Sequence, residues 1–357
     1  MNKVMRYSVA VLVAGILGTS LGYTGQAPTY AAPNKTKSTI QQTSVVLKWK
    51  GTTLSQKGLI HNGNTLIPVA VLRDQMGLPL TYNPGTRTYS VGSGYRQLNI
   101  DLMEYGVNTN INNYYVNNYE VQNIKGKLYV PFKLMSDYLG YQGVWNPSLK
   151  SLSITPRVEN HTIIKSESEE TKTKDALFLL RYPIISGLEN EDAEKEINTV
   201  LDKLKDQFVD ASKEQAAKRD SSVEHTYQFF QNYIVTYNES GMLSIVVDQY
   251  SYTGGAHGGT WQIGLTFSLK DGKLLSLDDL LKEKKTTYKV ELNQFVVKSL
   301  KEINGYYEDF KGLEDDADYF LKTDGLALFF QQYAYTPYAA GIPTFVIPYN
   351  QVLPTLK

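Results

Sequence analysis

The chain of 357 residues carries 36 Lys and Arg against 36 Asp and Glu, with 42% hydrophobic and 20% charged residues. These proportions belong to a globular protein long enough for two domains, and they exclude a disordered chain. The balanced charge gives no global electrostatic case for nucleic acid or an anionic membrane. Cys is absent, so disulfides and thiol chemistry are excluded.

Residues 1–32 read as a secretory signal peptide. Lys3 and Arg6 make a basic start, "YSVAVLVAGILGTSLGY" supplies the apolar stretch, and "PTYAAP" offers small residues for cleavage after Ala31 or Ala32. A retained anchor would want a longer apolar run of roughly 18–25 residues. The expected protein is secreted, extracellular or cell-wall-associated, with no membrane span after signal cleavage. Without a cysteine after the signal, no lipoprotein anchor is expected.

Residues 43–156 form the first expected domain and contain an internal repeat. "GNTLIPVAVLRDQMGLPLTYNPGTRTYSV" begins at Gly63 and "GKLYVPFKLMSDYLGYQGVWNPSLKSLSI" at Gly126. Pro68 matches Pro131, Gly77 matches Gly140 and Asn83-Pro84 matches Asn146-Pro147, each pair 63 residues apart. Each copy predicts a short strand, a helix opened by Pro and closed by a left-handed Gly, then two strands about an Asn-Pro turn. Between the copies, Tyr95 to Glu120 predicts polar, Asn-rich strands and turns.

This pattern resembles the copper amine oxidase N-terminal-like domain, a stalk module of secreted Gram-positive proteins. The resemblance implies no oxidase activity, since that region lies apart from the copper in the oxidases. Asn118-Tyr119-Glu120 matches the oxidase cofactor consensus, but His61, His161, His225 and His257 are scattered without a His-x-His pair.

From Glu159 to Lys174 the chain is polar, either a linker or the first strand of a second domain, whose start is placed near residue 157 or 158. "ENEDAEKEINTVLDKLKDQFVDASKEQAAKRD" predicts a helix with an acidic start and Ile197, Leu201, Leu204 and Phe208 on one face. Three strands follow, "EHTYQFFQNYIVTYN", "MLSIVVDQYSY" and "TWQIGLTFSL". "SLDDLL" and "TYKVELNQFVVKSLKEING" predict helices, and residues 326–353 predict strand, loop, strand and closing turn. The carboxylates of "GLEDDAD", Gly312 to Asp318, predict an acidic helix start rather than a calcium loop. The fold class is α+β: two domains, each an antiparallel sheet with packed helices, the second spanning residues 158–357.

"VVDQYSYTGGAHG", "SLDDLL" and "PYAAGIPTFVIPY", in that order, resemble an extracytoplasmic domain of lysozyme-sensing anti-sigma factors and of the non-catalytic half of peptidoglycan deacetylases. In the anti-sigma factors the domain binds lysozyme. The resemblance implies recognition without the signalling role, because neither a sigma-binding segment nor a deacetylase domain is seen in the sequence.

The glycine-rich stretch "TGGAHGG", Thr253 to Gly259, separates two strands and is expected to be a wide turn whose glycines allow positive φ or close backbone approach. A hydrolase reading would use His257 with Ser251 and Asp248, but alternation puts Asp248 and Ser251 on opposite faces and no nucleophile elbow is present. His257 stands apart from other metal-ligand residues, so no metal and no cofactor are expected. Tyr250, Tyr252, His257, Trp261, Tyr335 and Tyr338 are therefore candidates for the rim of a recognition surface. The bland alternative is a structural loop in which His257 bonds within the fold. The expected function is a non-enzymatic cell-wall-associated binding protein for a lysozyme-like protein or peptidoglycan. Its rival is a wall-glycan hydrolase or deacetylase-type enzyme using His257.

Overall fold

The computed structural model describes residues 43–352 apart from 105, 117, 221 and 282–287. The expected signal peptide lies outside the described residues. Strands β1 (Thr43–Trp49), β2 (Thr52–Thr53), β3 (Gly58–His61) and β4 (Asn64–Pro68) lead into the short helix α1 (Val69–Asp74). A meander follows: β5 (Leu80–Asn83), β6 (Thr88–Val91), β7 (Leu98–Met103), β8 (Gly106–Ile111) and β9 (Tyr114–Tyr115). Then β10 (Gln122–Ile124) and β11 (Lys127–Pro131) run into α2 (Phe132–Tyr138), and the hairpin β12 (Tyr141–Asn146) and β13 (Ser151–Pro156) closes the first half.

Pro68 and Pro131 are the last residues of their strands and cap the helices that follow, one place earlier than the first helical turn. Gly77 and Gly140 adopt φ of 78° and 76° just after those helices, the left-handed conformation that glycine tolerates at a helix end. The Asn83 side chain accepts from the Gly85 N–H at 2.9 Å and the Asn146 side chain from the Leu149 N–H at 3.0 Å, closing both Asn-Pro turns. The two segments place strand, helix and hairpin in the same order yet join different sheets. One sheet of eight strands runs β10-β11-β4-β3-β1-β13-β12 with β2 beside β1, whereas β5 to β9 form a sheet of their own.

The second half begins with β14 (Ile163–Lys172) and β15 (Ala176–Ser186), crosses over through α3 (Glu191–Ala217), and returns as β16 (Tyr227–Glu239), β17 (Met242–Tyr252) and β18 (Gly259–Ser268). Helices α4 (Leu277–Leu280) and α5 (Tyr288–Lys301) precede β19 (Tyr319–Leu321), β20 (Gly325–Phe329), β21 (Thr344–Pro348) and a last turn α6 (Tyr349–Val352). Strands β14 to β18 form one sheet in chain order and β19 to β21 a second.

The class is α+β and mostly antiparallel, with two departures from the expected pattern. Strands β1 and β13 pair in parallel, as do β15 and β16. The second parallel pair is a β15–α3–β16 crossover, because a helix between two neighbouring strands returns the chain to the same end of the sheet. Residues 312–318 are irregular chain leading into β19, not a helix start, and this corrects the expectation drawn from their carboxylates.

Helix α3 forms where expected, with the Asn190 side chain accepting from the N–H groups of Asp192 and Ala193. Its Ile197, Leu201 and Leu204 pack on Tyr233, Ile245, Val247, Ile263 and Leu265 on one sheet face. Each such side chain, fully buried, contributes about 1.5–3 kcal/mol. The opposite sheet face meets the three-stranded sheet. There the backbones approach so closely that a Cβ on Gly264 would overlap the Tyr319 carbonyl oxygen.

One apolar core runs through both halves. Val45, Leu47, Ile67, Val130 and Leu134 are continuous with Ile234, Val246, Phe320, Ala327 and Phe329. A polar seam accompanies it. The Asp137 side chain, 1% exposed, lies 3.0 Å from Lys322 Nζ across the seam and also receives Lys133 and the Tyr119 hydroxyl. Burial alone would raise the Asp137 carboxyl, but Lys322, Lys133 and Tyr119 outweigh it and hold it below its ordinary value. Lys133 reaches Asp324 at 2.9 Å, Arg157 reaches Glu239 at 3.2 Å, and Arg96 pairs with Glu159. No described helix is long and apolar enough to cross a membrane.

Candidate functional site

The site is assembled from two loops. The first, residues 253–258, joins β17 to β18 and uses its glycines in both expected ways. Gly254 and Gly255 take φ of 98° and 91°, which L side chains rarely adopt. Gly258 lies against the Tyr250 ring so tightly that a Cβ would overlap it and stand 2.6 Å from the Ser251 carbonyl oxygen. The Tyr252 hydroxyl donates back to the Gly255 carbonyl at 3.1 Å. The second loop, residues 330–343, joins β20 to β21 and carries Tyr333 and Tyr338.

Two glutamine side chains fix the second loop on the first. Gln331 accepts from the Gln262 N–H at 3.1 Å and donates to the Gln262 carbonyl at 2.7 Å, as a paired strand would. Gln332 accepts from the Thr260 N–H at 2.9 Å. Both sets of bonds fall on the outer edge of β18, whose inner edge pairs with β17. The loops are thereby held in register, and their aromatic rings meet.

His257 stacks on Tyr338 with ring centroids 3.7 Å apart and planes 16° from parallel. Tyr333 lies 5.8 Å from Tyr338 and 6.5 Å from His257, centroid to centroid. His257 Nδ1 sits 2.9 Å from the Gly258 carbonyl oxygen, so Nδ1 carries the hydrogen and donates. Nε2 is then an acceptor, and the Tyr333 hydroxyl, 3.2 Å away, donates to it. Both ring nitrogens of His257 are thus engaged. Tyr333 is 53% exposed and holds φ of 66°, a left-handed conformation unfavourable for a bulky residue. Strain of this kind, of order 1–3 kcal/mol, collects at ligand clamps and active sites.

Tyr250 backs the platform by stacking on Phe230, with centroids 5.7 Å apart. Burial raises its hydroxyl above the ordinary tyrosine value, with the Tyr338 hydroxyl adding to the effect. The structure thus brings Tyr250, Tyr252, His257 and Tyr338 together. It places two other expected residues elsewhere. Trp261 is opposite Gln249 and packs against the core beneath α3, on the other face of the sheet. Tyr335 sits among Phe310 and Phe330, with centroids 5.4 and 5.0 Å away. Tyr333 was missed by the sequence reading, although it lies among the tyrosines of "QQYAYTPY", Gln331 to Tyr338.

Other motifs resolve into structure. Tyr119, from the triplet resembling the oxidase consensus, makes its hydroxyl bond to Asp137 and stands edge-on to Tyr138, with centroids 5.6 Å apart. Its hydroxyl is raised far above the ordinary value by burial first and by Tyr138 and Asp137 next. Among the described residues no group of three His, Cys, Asp or Glu is arranged to hold a metal ion. Ser251 pairs with Gly259 and Phe229, a strand position facing away from Asp248.

A β-rich first half joined by a buried seam to a sheet-and-helix second half, with an aromatic platform at one hairpin end, is a composite of modules. Three family models match it in turn. Residues 46–154 match the copper amine oxidase N-terminal domain, residues 167–260 the family described as deacetylase PdaC, and residues 278–350 a protein family of unknown function, DUF3298. Among solved structures, a DUF3298 family member from Bacteroides fragilis is similar at 17% identity, covering 54% of this chain and 93% of that one, with a TM-score of 0.41. A DUF3298 family protein from Pseudomonas aeruginosa is similar at 18% identity, covering 53% and 91%, with a TM-score of 0.37. No curated protein matches the chain. The matched domains are of extracellular type and suggest a cell-wall-associated role.

Proposed function

We propose that the protein is a non-enzymatic binding protein of the cell wall, and that Tyr333, His257 and Tyr338, backed by Tyr250 and Tyr252, recognise a lysozyme-like protein or peptidoglycan. One observation carries this reading: an exposed, strained Tyr333 is held in a three-ring platform by hydrogen bonds from the edge of β18. Rigid aromatic rings supply contact area at low entropic cost and are frequent anchors of protein contacts. Both nitrogens of His257 serve the platform, which favours recognition over proton transfer.

The test is calorimetric titration of the protein with a c-type lysozyme and with soluble peptidoglycan fragments, at low and raised salt. Wild-type binding that Tyr333→Ala weakens at least ten-fold, with an unchanged thermal midpoint, supports the reading. Absence of binding to both, or equal binding by Tyr333→Ala, overturns it.

A further inference from the structure

The neutral total conceals two oppositely charged halves. Residues 1–157 hold 15 Lys and Arg against 5 Asp and Glu, while residues 158–357 hold 21 against 31. The pairs across the seam consume some of this difference: Arg96 with Glu159, Arg157 with Glu239 and Lys133 with Asp324. What remains is placed unevenly. Strands β1, β2, β3, β4, β12 and β13 contain no Asp or Glu, and residues 43–73 and 138–158 are free of both.

The strand register gathers the unpaired lysines of this acid-free sheet. Lys48 is opposite Ser153 on one side and Thr53 on the other. Val45 is opposite Gly58, so Lys57, one residue earlier, stands beside Val46. Lys50 follows β1, and its ammonium lies 5.1 Å from the centre of the Trp49 ring. Two-residue steps along a strand cover about 6.6 Å and neighbouring strands lie about 4.8 Å apart, which puts Lys48, Lys50 and Lys57 within roughly 15 Å. Val45 and Leu47 are buried, so the alternate positions, Lys48 among them, face outward. Among the described residues none of Lys48, Lys50 and Lys57 forms an ion pair, and Lys50 and Lys57 are exposed.

We infer that this face docks a phosphodiester polyanion, and that the polymer is one of the cell wall. The inference rests on the wall-associated reading above and adds to it the attachment surface. Repeated negative charge fits lysines spread over a strand lattice beside Ser and Thr hydroxyls, with no carboxylate among them. The surplus of carboxylates in the second half is repelled by the same polymer. The protein therefore attaches to the wall by its first half, a surface separate from the platform of Tyr333 and His257.

The experiment is co-sedimentation of the full chain with sacculi that retain their phosphodiester polymers, with sacculi stripped of them, and with duplex DNA as the other source of that chemistry. About three neutralised phosphates on a single-stranded polymer imply a loss of roughly twenty-fold in affinity between about 50 and 200 mM salt. The expected result is salt-sensitive binding to intact sacculi, weakened ten-fold or more both by stripping and by Lys48→Glu/Lys50→Glu/Lys57→Glu. The neutral Gln triple variant, with its thermal midpoint measured, guards against misfolding and should fall between. Tyr333→Ala should keep the salt-sensitive part of the binding to intact sacculi, which separates this surface from the aromatic one. Salt-independent binding, Tyr333→Ala retained as well on stripped as on intact sacculi, tighter binding to DNA than to sacculi, or no effect of the triple variants would each overturn the inference.

Discussion

Asp248 offers the sharpest test of how the two halves are joined. It lies on β17 between Asn232 of β16 and Gln262 of β18, and the Tyr114 hydroxyl from the first half is the polar neighbour of its carboxylate. Asp248 Oδ1 and Asn232 Oδ1 are both buried without a hydrogen-bond partner. The strand register makes the two residues neighbours, and a protonated Asp248 has a hydrogen to donate where a carboxylate only accepts. Burial pushes the carboxyl up to about 7, against a smaller opposing effect of Tyr114. From an ordinary value of about 4, each pH unit is worth about 1.4 kcal/mol, so the ceiling at high pH is about 4 kcal/mol. Between pH 4 and 7 the folded protein holds a proton that the unfolded chain has released, so stability falls as pH rises through this window and levels off above it. Asp248→Asn removes the charge and keeps the size of the side chain and a group able to donate. The expected outcome is a variant equal to wild type near pH 4, and more stable by about 2–4 kcal/mol at pH 8. Thermal and urea unfolding from pH 4 to 8 measure the difference. A constant gap between the two proteins across that range would refute a protonated Asp248.

Further outcomes follow from the seam and the glycines. Lys322→Met leaves the buried Asp137 with Lys133 as its cation and the Tyr119 hydroxyl as donor, and a loss of at most about 3–5 kcal/mol in urea unfolding is expected. Because the Asp137 carboxyl is held below its ordinary value, its contribution is complete at neutral pH. It should disappear as pH falls below about 4 in wild type and be absent from Asp137→Asn. Gly264→Ala drives a methyl into the Tyr319 backbone and should cost at least about 1–3 kcal/mol, read from the thermal midpoint. Gly258→Ala sets a methyl against the Ser251 carbonyl and the Tyr250 ring; it should lower the thermal midpoint and displace Tyr250, which a loss of ligand affinity together with altered tyrosine fluorescence would report.

Much of the architecture was legible because it rests on local rules. Asn190 before an acidic turn and an apolar stripe specified α3, and alternation from Trp261 to Leu269 specified β18. Strand β15 was not recognised, since "ALFLLRYPIIS" is apolar almost throughout and lacks the alternation of a half-exposed strand. Its parallel pairing followed from that omission. The site was half legible. Glycine punctuation located the loop at His257 and Tyr338 was named beside it, but Tyr333 was passed over, and only the Gln331 and Gln332 bonds bring their loop, some 75 residues onward, to this place. Trp261 was misplaced because its neighbours in sequence are on the opposite sheet face. The halves' opposed charges were present in the composition but vanished in the sum.

The amides of Gln331 and Gln332 have an effect beyond aligning rings. An edge strand with open N–H and C=O groups is a template for a second chain, and β18 is such an edge. Its exposed valences at Thr260 and Gln262 are filled by side chains from the loop that carries the platform. Recognition and resistance to aggregation therefore share one contact. A ligand, or a mutation, that draws residues 331–332 away from β18 would uncover a seeding edge, and its first sign would be concentration-dependent precipitation of an otherwise folded protein.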